Sequence, residues 1–288
     1  MSSSETIPGR AAADLVDLDD LELRIGELQA QYASATPFPH IVLDDIVDAA
    51  AISKVYAELD AMSNERWNSY LHYNERKYSN TDTDSWGPTV QALAEVLASD
   101  RFTAWLSDLT GFDQLQADTS LDGGGLHRSY RNGFLNVHAD FTAHHQIDNW
   151  RRRINLLLYL NAEWQPDWGG ELEFWSADMA RCETRVAPLG NRMLLFTTDE
   201  TSYHGHPEPL QFPDGVARQS LALYYFTEET NPLAKPTDYR ARPGDGARKY
   251  GIYLDKKALA AYDVVKRKFK LSDAALNRLL RPFSRRDR

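Results

Sequence analysis

The sequence predicts a mainly β fold, a sandwich or jelly roll with helices flanking it, and three patterns point there. From Leu115 onward, short strand-like runs recur at even spacing with turn signals between them. Ahead of that point the apolar residues recur at helical spacing instead. After Pro243-Gly244-Asp245-Gly246 the helical pattern returns.

Residues 1–10, small and polar with Pro8 and Gly9, read as a disordered start. A helix is expected from about Ala11 to Tyr32, with Leu21, Ile25, Leu28 and Tyr32 on one stripe. Pro37 and Pro39 end it and lead into a strand, Ile41 to Leu43. Asp48 can cap a helix burying Ile52, Val55, Leu59 and Met62. Trp86-Gly87-Pro88 breaks the chain before a helix carrying Val90, Leu93 and Leu97. Ser99 caps the next, with Phe102, Trp105, Leu106 and Leu109, and Gly111 stands where a left-handed residue is wanted.

Strands are expected at about 126–130, 134–139, 153–161, 170–175, 183–187, 191–197 and 218–227. Gly123-Gly124-Gly125, Asn132-Gly133, Pro166-Asp167, Pro188-Leu189-Gly190 and Pro213-Asp214-Gly215 separate them. The closing helical pattern has Ala258, Tyr262, Val265 and Phe269, then Ser272 capping Ala275, Leu276, Leu279 and Leu280. Three regions follow: a disordered start and helix over 1–35, a main domain over 36–246, and a helical extension over 247–288.

At 288 residues and 42% hydrophobic content the chain has ample material for a core. Its start lacks a basic n-region and an apolar h-region, and no run approaches the ~18 apolar residues of a membrane span. A cytoplasmic address is the default expectation. The single cysteine, Cys182, excludes an intramolecular disulfide and a cysteine-based zinc cluster, leaving His and carboxylate as metal ligands. Cys182 itself reads as a small filler. The net charge of -10 argues against nucleic-acid binding by the body. From Asp255 to Arg288 there are eleven Lys or Arg against four Asp, so this end is about +7 and the remainder about -17. A basic helical pair packed on an acidic body is the expectation, with an RNA or anionic-membrane contact as the alternative.

The chemistry concentrates in Gly133-Phe134-Leu135-Asn136-Val137-His138-Ala139-Asp140-Phe141 and Ser202-Tyr203-His204-Gly205-His206-Pro207. On a strand, His138 and Asp140 project from one face. A distant second histidine, His204, would complete a two-His-one-carboxylate facial set of the kind that holds Fe(II) and leaves coordination positions open. Beyond it, Arg218-Gln219-Ser220 opens the apolar run Leu221 to Phe226, which reads as a strand buried on both faces. An arginine entering such a strand needs an anion.

His-x-Asp, a distal His and an Arg fourteen positions further on together resemble the 2-oxoglutarate and Fe(II)-dependent oxygenases, in particular the prolyl-4-hydroxylase-like branch. Thr36 to Asp45, Arg152 to Asn161, Trp168-Gly169-Gly170-Glu171-Leu172 and Tyr239 to Asp245 share the resemblance, which runs from about residue 36 to 246. It implies a double-stranded β-helix, a cupin-like jelly roll over about 115–230, with the metal at the open mouth and helices bracing one sheet. It further implies Fe(II), 2-oxoglutarate and O2 as reactants, stimulation by ascorbate, and hydroxylation of an unactivated C–H bond with release of succinate and CO2. Halogenating relatives have a small residue where Asp140 stands, so oxygenation is the implied outcome.

His206, two positions past His204, is a rival ligand on the same strand face; the family's motif places the ligand directly after an aromatic residue, here Tyr203, which implies His204. Arg218 would pair bidentately with the far carboxylate of 2-oxoglutarate, or else bridge to Glu171 or Glu173. By resemblance, Tyr159 sets a hydroxyl against that carboxylate and Tyr130 bonds the metal-bound end of the co-substrate, while Ser220 shares a strand face with Arg218. His144 and His145 are expected in a loop near the mouth, facing substrate or solvent.

The substrate could be a prolyl or other residue of a protein or peptide, or a small molecule such as an amino acid, sugar or natural-product intermediate. The stretch Tyr73 to Trp86 would then be a mobile loop flanking a groove or closing as a lid. The C-terminal extension could pack on the body, form a homodimer or cover the active site. From a different class, a non-catalytic jelly-roll binding protein that retains its metal is the alternative.

Overall fold

Leu221, Leu223 and Tyr225 on one side of a strand and Ala222, Tyr224 and Phe226 on the other are all buried, so the strand needs cover on both faces. The computed structural model, which describes residues 15–269, supplies that cover. The helices are α1 (Leu18–Leu23), α2 (Ile25–Ser34), α3 (Ala49–Ala61), α4 (Pro88–Ala98), α5 (Asp100–Thr110) and α6 (Arg248–Phe269). The first strands are β1 (His40–Asp44), β2 (Asn68–Leu71), β3 (Glu75–Asn80), β4 (Gln116–Ala117), β5 (Gly125–Ser129), β6 (Phe134–Ala139) and β7 (Trp150–Tyr159). After them come β8 (Leu172–Trp175), β9 (Cys182–Val186), β10 (Arg192–Thr197), β11 (His204–His206), β12 (Arg218–Glu228) and β13 (Asp238–Tyr239).

The strands pair antiparallel in the order β1-β10-β7-β12-β5-β3-β6-β11-β8-β9, with β2 on β3, β4 on β12 and β13 on β6. This path curls on itself, because Leu172 and Phe174 of β8 and Val186 of β9 pack on Tyr159, Leu194 and Phe196 of β7 and β10. That contact is the inside of a jelly roll. Residues of opposite parity, such as Leu156, Leu158, Met193, Leu195 and Leu221, face the other way and bury the inner sides of α2 to α5. The helices brace one sheet, as expected.

Local signals act as the sequence suggests. The Asp48 carboxylate accepts from the Ala50 and Ala51 amides, Ser99 accepts from the Phe102 amide, and Gly111 ends α5 at φ 74°. The N-terminal helix is interrupted at Arg24, giving α1 and α2.

Two expectations change. Tyr73 to Trp86 is not a loop throughout: it holds β3, which pairs with β2, β5 and β6, followed by a single 3-10 turn over Thr83–Ser85. In the extension, Ala258 is exposed and the face turned to the body carries Ile252, Asp255, Leu259 and Tyr262. The side chains of Val265 and Phe269, the helix expected after Ser272 and the disordered start over 1–10 lie outside what is described.

Candidate metal centre

β6 and β11 are neighbours, and their register sets His204 directly opposite His138. Each imidazole gives its Nδ1–H to a carbonyl two residues back, His138 to Asn136 and His204 to Ser202, both at 2.9 Å. A carbonyl can only accept, so in each neutral ring Nε2 carries the free lone pair. Both Nε2 atoms turn to Asp140: His138 to Oδ1 at 3.5 Å and His204 to Oδ2 at 3.4 Å. One ligand atom from each residue lies within 4.8 Å of the others. Ligands about 2.1 Å from a shared ion and near right angles to one another sit about 3 Å apart, so this spacing and donor set fit a first-row divalent metal.

His206 stands apart from the trio. A bulge between His204 and His206 sets His206 opposite Leu135. Its imidazole is buried and Nδ1 has no partner.

Burial opposes ionisation of Asp140, but the Arg152 guanidinium beside it overcomes this and holds the carboxyl well below its usual range. Burial moves His204 down to about 4, against the pull of Asp140. A carboxylate and a neutral imidazole are the protonation states a metal requires. Asn155 Nδ2 donates to Asp140 Oδ2 at 2.7 Å, and Arg152 donates in turn to Asn155 Oδ1.

Arg218 is buried on the same interior. Its Nε donates to the Gly170 carbonyl at 2.8 Å and an Nη reaches the Tyr159 hydroxyl at 3.4 Å. Among the described residues no carboxylate forms an ion pair with it, and Glu173 is engaged by Arg185 instead. Burial lowers its pKa from the ordinary arginine value. Ser220 lies in register between His127 and Tyr159, on the strand side that Arg218 shares.

Tyr130 does not join them. β5 alternates, with His127 turned to the cavity and Arg128 away from it, and Tyr130 follows Arg128, whose Nη1 reaches the Tyr130 hydroxyl.

A cavity of about 320 Å³ opens from His138 and Asp140, and part of its lining was not anticipated. Glu75 and Lys77 of β3 pair at 3.0 Å inside it, and Tyr239 of β13 sets its ring 5.2 Å from that of His138. Leu259, Tyr262 and Asp263 of α6 form one wall. His72 bridges Asp255 of α6 at 2.7 Å and Glu75 at 2.8 Å. Asn74 donates to Asp255 and to the Ile252 carbonyl, and the Tyr73 ring lies where a Cβ on Gly251 would be. His144 and His145 are buried, not solvated: His144 meets Asp118, and His145 bridges Asp122 and Asp263. α6 therefore covers the mouth.

Residues 124–226 match the model of the 2OG-Fe(II) oxygenase superfamily. Prolyl 3-hydroxylase OGFOD1 of Mus musculus is 23% identical over 213 residues, covering 72% of this chain and 35% of its own. The chain thus spans about a third of the length of that curated relative. A prolyl hydroxylase solved in complex with a hypoxia inducible factor oxygen degradation domain peptide fragment from Trichoplax adhaerens has the same fold. It is 14% identical with a TM-score of 0.53, over 73% of this chain and 92% of its own. A Pseudomonas putida prolyl-4-hydroxylase is 19% identical with a TM-score of 0.48, over 70% of this chain and 99% of its own.

Proposed function

We propose that this chain, whose residues 124–226 match the model of the 2OG-Fe(II) oxygenase superfamily, is an Fe(II)- and 2-oxoglutarate-dependent hydroxylase. His138, Asp140 and His204 hold the iron through two Nε2 atoms and one carboxylate oxygen. Arg218, with Tyr159 and Ser220 beside it, receives the far carboxylate of 2-oxoglutarate. The observation that carries this reading is Arg218: a guanidinium buried without a carboxylate is costly unless an anion arrives. Bound together, iron and 2-oxoglutarate supply the activation of O2 that yields succinate and CO2 and hydroxylates a C–H bond.

The chain's own part is orientation and exclusion. Arg152 and Asn155 fix the Asp140 carboxylate, the strand carbonyls fix both imidazoles, and α6 closes the cavity against water. The mouse relative and the Trichoplax complex suggest a prolyl residue of a peptide or protein as substrate. A compact small molecule is the second reading, favoured by the wall that α6 builds across the cavity.

Anaerobic titration of the Fe(II)-loaded protein with 2-oxoglutarate tests the site through the visible charge-transfer band of a chelated keto acid. We expect a band that is lost in His204→Ala. Iron binding with no band would leave a metal-retaining binding protein as the better account.

A further inference from the structure

α6 is two-faced. Its inner side docks on the body, while Tyr250, Leu254 and Val264 on the outer side are 65%, 70% and 63% exposed. At 100° per residue these positions line up with the exposed Ala258 and Ala261 in a stripe about 20 Å long. Tyr73, 45% exposed, lies against Gly251 at one side of the stripe.

The charges of the helix are sorted as well. Its two acids, Asp255 and Asp263, face the body and are held by His72 and His145. Arg248, Lys249, Lys257 and Lys268 are exposed; at 100° per residue Lys257 and Lys268 lie on the stripe, Lys249 stands to one side of it, and no acid shares that face among the described side chains of α6.

We propose that the outer face of α6 docks on an anionic lipid bilayer, the helix lying in the plane of the headgroups. Apolar side chains below, lysines whose long stems carry the ammonium up to phosphate level, and tyrosine at the boundary are what such an interface asks for. α6 lies on the bilayer and does not cross it, for no described helix is long and apolar enough to span a membrane. A second copy packed on the same stripe would bury Lys257 and Lys268 against its own cations. The negative charge of the rest of the chain restricts docking to the orientation with α6 toward the lipid. In that pose the cavity wall formed by Leu259 and Tyr262 stands one helix diameter, about 10 Å, from the headgroups.

The full chain is floated with vesicles of phosphatidylcholine alone and of phosphatidylcholine mixed with phosphatidylglycerol. Flotation is expected with the anionic vesicles only, and is lost at high salt. Leu254→Glu is expected to abolish it, and Lys257→Gln to weaken partition about fivefold. Unchanged thermal melting in both variants shows that the fold persists. Absence of flotation at low salt overturns the proposal, as does equal flotation of Leu254→Glu. A concentration-dependent dimer that Leu254→Glu dissolves, without flotation, overturns it too and assigns the face to a second copy.

Discussion

Arg152 sets an Nη 3.2 Å from Asp140 Oδ2 while its guanidinium lies 3.4 Å from the centre of the Tyr224 ring. The arginine is almost wholly buried, and its Nε and that same Nη donate to Asn155, which itself holds Asp140. Substituting Arg152→Met would leave the carboxylate buried without its cation. We expect metal affinity to fall about 10- to 100-fold, measured by anaerobic calorimetry with Mn(II). Unchanged affinity would show that Asp140 needs no such support.

His204 and His206 make a direct comparison. His204→Ala is expected to abolish metal binding with the fold intact, whereas His206→Ala keeps the metal because its ring is not among the converging ligand atoms. Co(II) absorption reads both, and the reverse pattern would refute the assignment.

Arg218→Ala is expected to raise the 2-oxoglutarate requirement about 10- to 100-fold, the worth of a charge-assisted bidentate pair, and to leave metal affinity in place. Tyr130→Phe is expected to change neither, since its hydroxyl faces Arg128. Charge-transfer titration of the two variants separates these outcomes. Equal loss of metal and co-substrate in Arg218→Ala would mean that the arginine is structural.

The clamp on α6 gives a pH dependence. Burial disfavours the His72 cation, but Glu75 and Asp255 outweigh it and raise its pKa above the ordinary 6.5. A group whose pKa rises on folding stabilises fully below its unfolded value and loses that contribution as pH climbs through the folded one. Docking of α6 is therefore expected to weaken as the pH climbs above the ordinary histidine value of 6.5, read as faster proteolysis within the helix. In His72→Gln the protection is low at every pH. An identical pH slope in both proteins would remove His72 as the cause.

The strands that were legible in the sequence are those whose inner residues are apolar. β7, β10 and β12 bury leucine, isoleucine and aromatic side chains, and turn residues bound them. β3 escaped because its inward positions, Glu75, Lys77 and Ser79, line the cavity and not the core, so the alternation that marks a strand is polar on both faces. His138, Asp140 and His204 were readable because a short spacing fixes two of them on one strand face. Arg152 hid in the run Arg151-Arg152-Arg153, where only the middle residue turns inward and its neighbours reach Glu200 and Glu229. The role of α6 could not be read, because its docking depends on carboxylate-histidine pairs between segments about 180 residues apart, as between His72 and Asp255.

The carbonyl tethers on His138 and His204 bear on how the ion is acquired. Each ring is oriented by its own strand two residues away, so its rotational freedom is already spent when the chain folds. Metal uptake then becomes an exchange of water for ligand atoms with little ordering of protein. Amide hydrogen exchange along β6 and β11 would accordingly be the same in the empty and loaded protein, apart from the general slowing that any tight ligand confers.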